Sequence, residues 1–301
     1  MVAMPKGAAS SACFLESADG LRLAIEKRGA PDAPPVLFAH GFGQTRQAWT
    51  RSAQALAAAG LCTVTMDMRG HGQSDRLPGG DYHLEQFLGD LLGVARSLDA
   101  PPILVGASMG GLLGLALAGE VAPAPFRALV LVDITPRWET AGVARMLGFM
   151  RAHPDGFADY DEAIAAIAAY LPHRSRQKRA HELEPLLRRG DDGRLRWHWD
   201  PALLETVAHE GERYQPRLLE AVRRIRVPVL LVSGGRSDVV SHDTIGEFMQ
   251  LLPHARYVQL PHATHMLAGD ANDAFTGAIE TFISSLPAVG DNMRPAPCTS
   301  S

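Results

Sequence analysis

The run PPILVGASMGGLLGLALAGE, residues 101–120, passes from an apolar segment to a helix-prone one through a serine set among glycines. Ile103, Leu104 and Val105 have strand composition and Leu112 to Ala118 have helix composition, so Ser108 falls at a strand-to-helix turn. Gly106-Ala107-Ser108-Met109-Gly110 fits G-x-S-x-G, a nucleophile on a tight elbow whose neighbours two positions before and after must be small. Such an elbow exposes the hydroxyl at the carboxyl end of a strand. The Met109 amide, first in the helix, is then free to donate to an oxyanion.

Working outward from the elbow, apolar and helix-prone runs alternate. PPVLFAHG (34–41), LCTVTMDM (61–68), ALVLVDI (128–134), VPVLLVSGG (227–235) and ARYVQLP (255–261) read as strands, with helix-prone stretches at 45–60, 82–98, 109–122, 241–252 and 271–286. Nearly continuous Val, Leu and Ile runs between helices predict a parallel sheet buried on both faces. Two β-prone segments around Asp19-Gly20 predict an antiparallel hairpin at one edge. The fold class is therefore α/β, with a mostly parallel, eight-stranded-type sheet flanked by helices. The alternation breaks at 137 and resumes at 227, and the charged, helix-rich stretch between reads as an inserted helical cap. Residues 14–136 and 227–286 then form the core, residues 1–13 a mobile start, and the proline-rich 287–301 a disordered tail.

With 301 residues and 46% hydrophobic residues, the chain is long enough for a large buried core. A net charge of -4 builds in no general attraction to nucleic acid or anionic membrane. Cys13, Cys62 and Cys298 are scattered, which suits neither a disulfide framework nor a zinc site. There is no apolar run of the roughly 20 residues a membrane span needs, and no apolar core of a secretory signal, so a cytoplasmic protein acting on a small molecule is expected. Its oligomeric state is left open.

A serine hydroxyl needs a base to remove its proton, and the base needs a carboxylate to orient it. His265, in LPHATHM between the last strand and the last helix, is the expected base, with His262 as rival; the pair lacks a third ligand for a metal. For the acid, Asp238 in VSGGRSDVVS stands just past a strand end in a glycine-rich loop, and Asp133 in LVDITP competes from the end of another strand. Asp238 is preferred, although the order serine, acid, histidine admits either. The loop HGFG, His40 to Gly43, can supply a second oxyanion donor from the Phe42 amide.

HGFG (40–43), DMRGHGQSD (67–75), GASMGG (106–111), GGRSDVV (234–240) and HATHM (262–266) together resemble, in order, the motifs of the α/β-hydrolase superfamily. The resemblance runs from about 14 to 286 and is nearest to cap-bearing bacterial esterases, lactonases, carbon-carbon bond hydrolases and haloperoxidase-like proteins. It implies an α/β-hydrolase fold, a triad of Ser108, Asp238 and His265, oxyanion amides from Phe42 and Met109, and no metal or organic cofactor. A serine at the elbow argues against the dehalogenases and epoxide hydrolases of the superfamily, which use aspartate. The family commonly has glycine where His262 and Thr264 stand here. By the same resemblance, Arg69, His71 and Asp75 shape a loop beside the site.

In the cap, Trp138, Trp197 and Trp199 read either as aromatic lining of a substrate pocket or as packing between cap and core. The basic cluster Arg174, Arg176, Lys178 and Arg179 is followed by Glu182 and Glu184 and reads as a solvated face. The function expected is hydrolysis of a small carboxylic ester or lactone. Two alternatives are a carbon-carbon bond hydrolase, which would want a cation such as Arg137 for a substrate carboxylate, and a slow-turnover ligand-binding receptor.

Overall fold

The computed structural model describes residues 11–171, 179–267 and 272–287. Most of the expected mobile start, most of the expected disordered tail, and Arg174, Arg176 and Lys178 lie outside the described residues. Eight strands form one sheet: β1 (Ser11–Glu16), β2 (Arg22–Arg28), β3 (Pro35–Ala39), β4 (Cys62–Met66), β5 (Ile103–Ala107), β6 (Ala128–Val132), β9 (Val229–Gly234) and β10 (Arg256–Leu260). Their spatial order is β1-β2-β4-β3-β5-β6-β9-β10. The hairpin β1-β2 is antiparallel and joins β4 antiparallel, while β4 to β10 run parallel. This is the architecture expected from the alternating runs, with the edge hairpin turning at Gly20, whose φ of 84° suits a residue without a Cβ.

Strands β4 and β6 are buried along their whole length, because helices cover both faces. On one face α1 (Thr50–Ala58) and α9 (Asn272–Ser284) pack through Trp49, Leu56, Phe275, Ile279 and Phe282 against Val36, Phe38 and Val130. On the other, α2 (Leu84–Arg96), α3 (Met109–Glu120), α7 (Gln215–Arg224) and α8 (His242–Leu251) bury Leu91, Leu113, Val222 and Phe248 against Leu37, Leu104 and Leu231. Helix α3 buries eight of its residues, as an all-apolar helix in the core must.

After β6 the chain leaves the sheet and returns at β9. The excursion carries α4 (Thr140–Arg151), α5 (Tyr160–Tyr170), a two-stranded antiparallel ribbon of β7 (Leu187–Arg189) and β8 (Leu195–Trp197), and α6 (Leu203–Glu210) before α7. It has a small core of its own, in which Phe157, Ala163, Ile167, Leu183, Leu186 and Leu195 meet. The ribbon is absent from the sequence reading: its strands are three residues each, too short for a period-2 pattern to register. No helix among the described residues is long and apolar enough to cross a membrane.

Leu231 is fully buried in β9, between β6 and the edge strand β10. Truncating it, Leu231→Ala, is expected to lower the unfolding free energy by about 2–5 kcal/mol, read from a urea titration, because the rigid sheet cannot collapse around the void.

Candidate active site

Ser108 occupies the turn between β5 and α3 with φ 45° and ψ -116°, a conformation that a side-chain-bearing residue adopts only when its surroundings impose it. The glycines are what allow the surroundings to close in. A Cβ on Gly106 would stand 2.6 Å from the Gly110 carbonyl carbon, and one on Gly110 would stand 2.4 Å from the Ala39 carbonyl oxygen. Strand, helix and oxyanion loop thus meet at contact distance. Met109 is the first residue of α3, where an amide has no acceptor within the helix. Among the described residues no acceptor takes the Phe42 amide. Phe42 and Met109, the two donors expected from the sequence, line one cavity together with Ser108.

Where the sequence reading preferred Asp238 beside His265, the structure places Asp133 there. His265 Nδ1 lies 2.7 Å from Asp133 Oδ2, and Asp133 is fully buried. Asp133 follows β6 directly and has φ 52°. Its carboxylate also takes the Gly234 amide on Oδ1 at 2.7 Å and the Ser237 hydroxyl on Oδ2. Three donors on one buried carboxylate satisfy its charge and fix its plane. Asp238 instead pairs with the guanidinium of Arg145 on α4. The loop after β9 does reach toward His265, but the group it presents is the Ser237 hydroxyl. Strand order explains this. Because β6 lies between β5 and β9, a residue at its end stands between the elbow and the histidine loop.

His265 itself is partly buried, while the rival His262 is exposed and lines neither cavity. Two cavities meet at Ser108. The larger, about 240 Å³, has Arg145, Tyr170, Trp197, Trp199, Arg236 and Asp238 in its wall, together with Phe42, Ser108 and His265. The smaller, about 130 Å³, runs the other way between Phe87, Leu112, Leu113, Ala116, Ile134, Trp138 and Leu218. Trp197 and Trp199 stack with ring centroids 6.4 Å apart, and Trp199 packs on Phe42 at 5.5 Å. The three indoles therefore do both things the sequence allowed: they line cavities and they pack cap to core. Arg137 does not line either cavity; its guanidinium pairs with Glu247.

Of the loop residues, Arg69 is buried between Asp90 and Asp19, and its guanidinium holds the Asp19 carboxyl down at about 2. Asp75 pairs with Arg22. His71 joins two histidines not singled out before, His40 and His198, in a chain of buried rings 5.0 and 5.9 Å apart. Burial lowers the pKa of all three, that of His198 to about 3. Among the described residues no group of three or more His, Cys, Asp or Glu is arranged to hold a metal ion.

With this geometry in view, the family described as "alpha/beta hydrolase fold" matches residues 34–271, and the chain belongs to it. The chain is 30% identical over 263 residues to the 3-hydroxybutyrate-oligomer hydrolase of Cupriavidus necator, covering 81% of this chain and 87% of that one. It is 28% identical to the 2-(acetamidomethylene)succinate hydrolase of Mesorhizobium japonicum, covering 88% and 93%. A crystal structure of E-2-(acetamidomethylene)succinate hydrolase superposes with a TM-score of 0.79 at 25% identity, over 92% of this chain and all of that one.

The buried histidines give the fold a pH dependence whose sign follows from linkage. An unfolded chain protonates His198 near 6.5, whereas the folded one resists until about 3, so the unfolded state binds the extra proton between these values. Stability is fully present above the unfolded value and falls as pH drops below it. Replacing His198→Phe is expected to flatten the fall by about 1.4 kcal/mol per pH unit between about pH 6 and pH 4, measured by urea denaturation at each pH.

Proposed function

We propose that this protein is a serine hydrolase of small carboxylic esters or lactones, working through an acyl-enzyme on Ser108. The observation that carries the reading is the bond between His265 Nδ1 and Asp133 beside a serine at a positive-φ elbow. With Nδ1–H donated to the carboxylate, Nε2 is the basic nitrogen and can take the Ser108 proton as Oγ attacks the substrate carbonyl. The Phe42 and Met109 amides receive the oxyanion. The protonated imidazole, stabilised by Asp133, gives its proton to the departing alcohol. Water, deprotonated by the same nitrogen, then cleaves the acyl-enzyme to release the acid and restore Ser108.

The relative from Cupriavidus necator, named for hydrolysis of 3-hydroxybutyrate oligomers, supports the ester reading. Two cavities meeting at the nucleophile suit a substrate with two limbs, a compact apolar one for the narrow cavity and a bulkier one for the cap-side cavity. Carbon-carbon bond hydrolysis stays as the second reading because Arg145 and Arg236 stand in the larger cavity, where a substrate carboxylate could meet them. Arg145 is shared with Asp238, which weakens it as an anion receptor.

A fluorophosphonate is expected to label Ser108, and Ser108→Ala to abolish the adduct; folded wild-type protein without an adduct at Ser108 contradicts the mechanism. Asp133→Asn is expected to lower kcat on a p-nitrophenyl ester by about 10⁴-fold, as a triad loses its imidazole tautomer, while Asp238→Asn changes it less than about tenfold. Filling the narrow cavity with Ala116→Phe is expected to shift preference toward shorter chains across a p-nitrophenyl ester series; an unchanged profile places neither limb there.

A further inference from the structure

Three buried imidazoles, His40, His71 and His198, line up at the oxyanion loop, and the mechanism uses none of them for proton transfer. Backbone groups fix the tautomer of each. The Met68 amide donates to His40 Nε2 at 3.0 Å, so His40 Nδ1 carries the proton and donates to the Gly41 carbonyl at 2.8 Å. The Gly43 amide donates to His71 Nε2 at 3.2 Å, so His71 Nδ1 donates to the Arg69 carbonyl at 3.0 Å. The Gly72 amide donates to His198 Nδ1 at 2.8 Å, which leaves Nε2–H of His198 to donate to the Gly43 carbonyl at 3.3 Å. Each ring is neutral, with one nitrogen accepting and one donating.

The consequence falls on Gly43. Its amide is held by His71 and its carbonyl by His198, so the residue is gripped on both sides. Gly43 has φ 75°, a backbone conformation that favours a residue without a Cβ. Phe42, whose amide is the oxyanion donor in the reading above, is the preceding residue and rests edge-on against His71 at 5.6 Å. His71 and His40 belong to the core. His198 does not: it follows β8 in the cap, its own amide is bonded to the Leu186 carbonyl, and its carbonyl accepts from Arg76.

We infer that His198 is a positioning residue through which the cap completes the oxyanion hole. Acting through Gly43, it holds the Phe42 amide at the point where the carbonyl oxygen gains charge, without touching the substrate. The inference rests on the serine-hydrolase reading, and the two fail separately. If that reading fails, wild-type protein forms no Ser108 adduct; if only this inference fails, wild-type protein is active and the His198 variants equal it.

The experiment compares wild-type, His198→Phe and His198→Gln enzyme, each counted by fluorophosphonate titration, on a p-nitrophenyl ester and a trifluoromethyl ketone that forms an oxyanion adduct. His198→Phe is expected to lower kcat by about 10- to 100-fold with KM within about twofold, and to weaken the ketone by the same factor, because misplaced donors are felt in the transition state alone. His198→Gln, whose amide keeps one acceptor and one donor, is expected to recover most of the loss. Unchanged kcat in folded His198→Phe, a loss confined to KM, or equal losses in both variants overturns the inference. A measurement on wild-type enzyme covers failure of the variants to fold: long-range proton-nitrogen spectra of the histidines are expected to show the Nε2–H tautomer at His198 and a shift of that proton when the ketone adduct forms. The Nδ1–H tautomer, or no shift, overturns it.

Discussion

The carboxylate of Asp133 is the group around which this site is built. It is wholly buried at the carboxyl end of β6, and burying a charge there is tolerable only because three donors converge on it: the imidazole of His265, the amide of Gly234 and the hydroxyl of Ser237. These donors come from the end of β9, the loop after it and the loop after β10. One interaction set therefore ties the histidine loop after β10 and the loop after β9 to the strand next to the elbow. If the carboxylate were lost, the donors would be left without their acceptor and the imidazole without its tautomer.

Geometry in the sheet makes this possible. Strand β6 lies between β5, which ends at the elbow, and β9, which supplies Gly234 from its end and Ser237 from the loop after it. Both Ser108 and Asp133 have positive φ, 45° and 52°, so the chain turns sharply at two neighbouring strand ends, at the carboxyl end of the sheet. The surrounding scaffold, close-packed on both faces, holds these turns in place. The excursion between β6 and β9 lines the larger cavity and meets the HGFG loop through Trp199 and His198.

Much of this was legible in the chain. The nearly continuous apolar strands announced a parallel sheet, and the elbow and the HGFG loop follow directly on two of them, so the places of Ser108, Met109 and Phe42 could be read from neighbours alone. The place of His265 was also legible, in the connection between the last strand and the last helix. The carboxylate that pairs with His265 was not, because Asp133 and Asp238 both follow apolar strands and chain order admits both. Their difference lies in partners: an arginine from the cap occupies Asp238, and no local pattern reports an ion pair 93 residues apart in sequence. A usable signal did exist. Asp133 directly ends ALVLV, a run buried at every position, so its carboxylate had to be buried as well.

The histidine chain shows the same limit. His40 and His71 stand in recognisable loops, but their link to His198 crosses from core to cap and appears only in three dimensions. The proton between His265 and its acid tests the central claim most directly. A low-field proton NMR spectrum of wild-type enzyme should contain an imidazole Nδ1–H resonance displaced downfield by its bond to a carboxylate. The account predicts that Asp133→Asn and His265→Ala remove this resonance and that Asp238→Asn leaves it in place. Loss of the resonance in Asp238→Asn, with its survival in Asp133→Asn, would contradict the account.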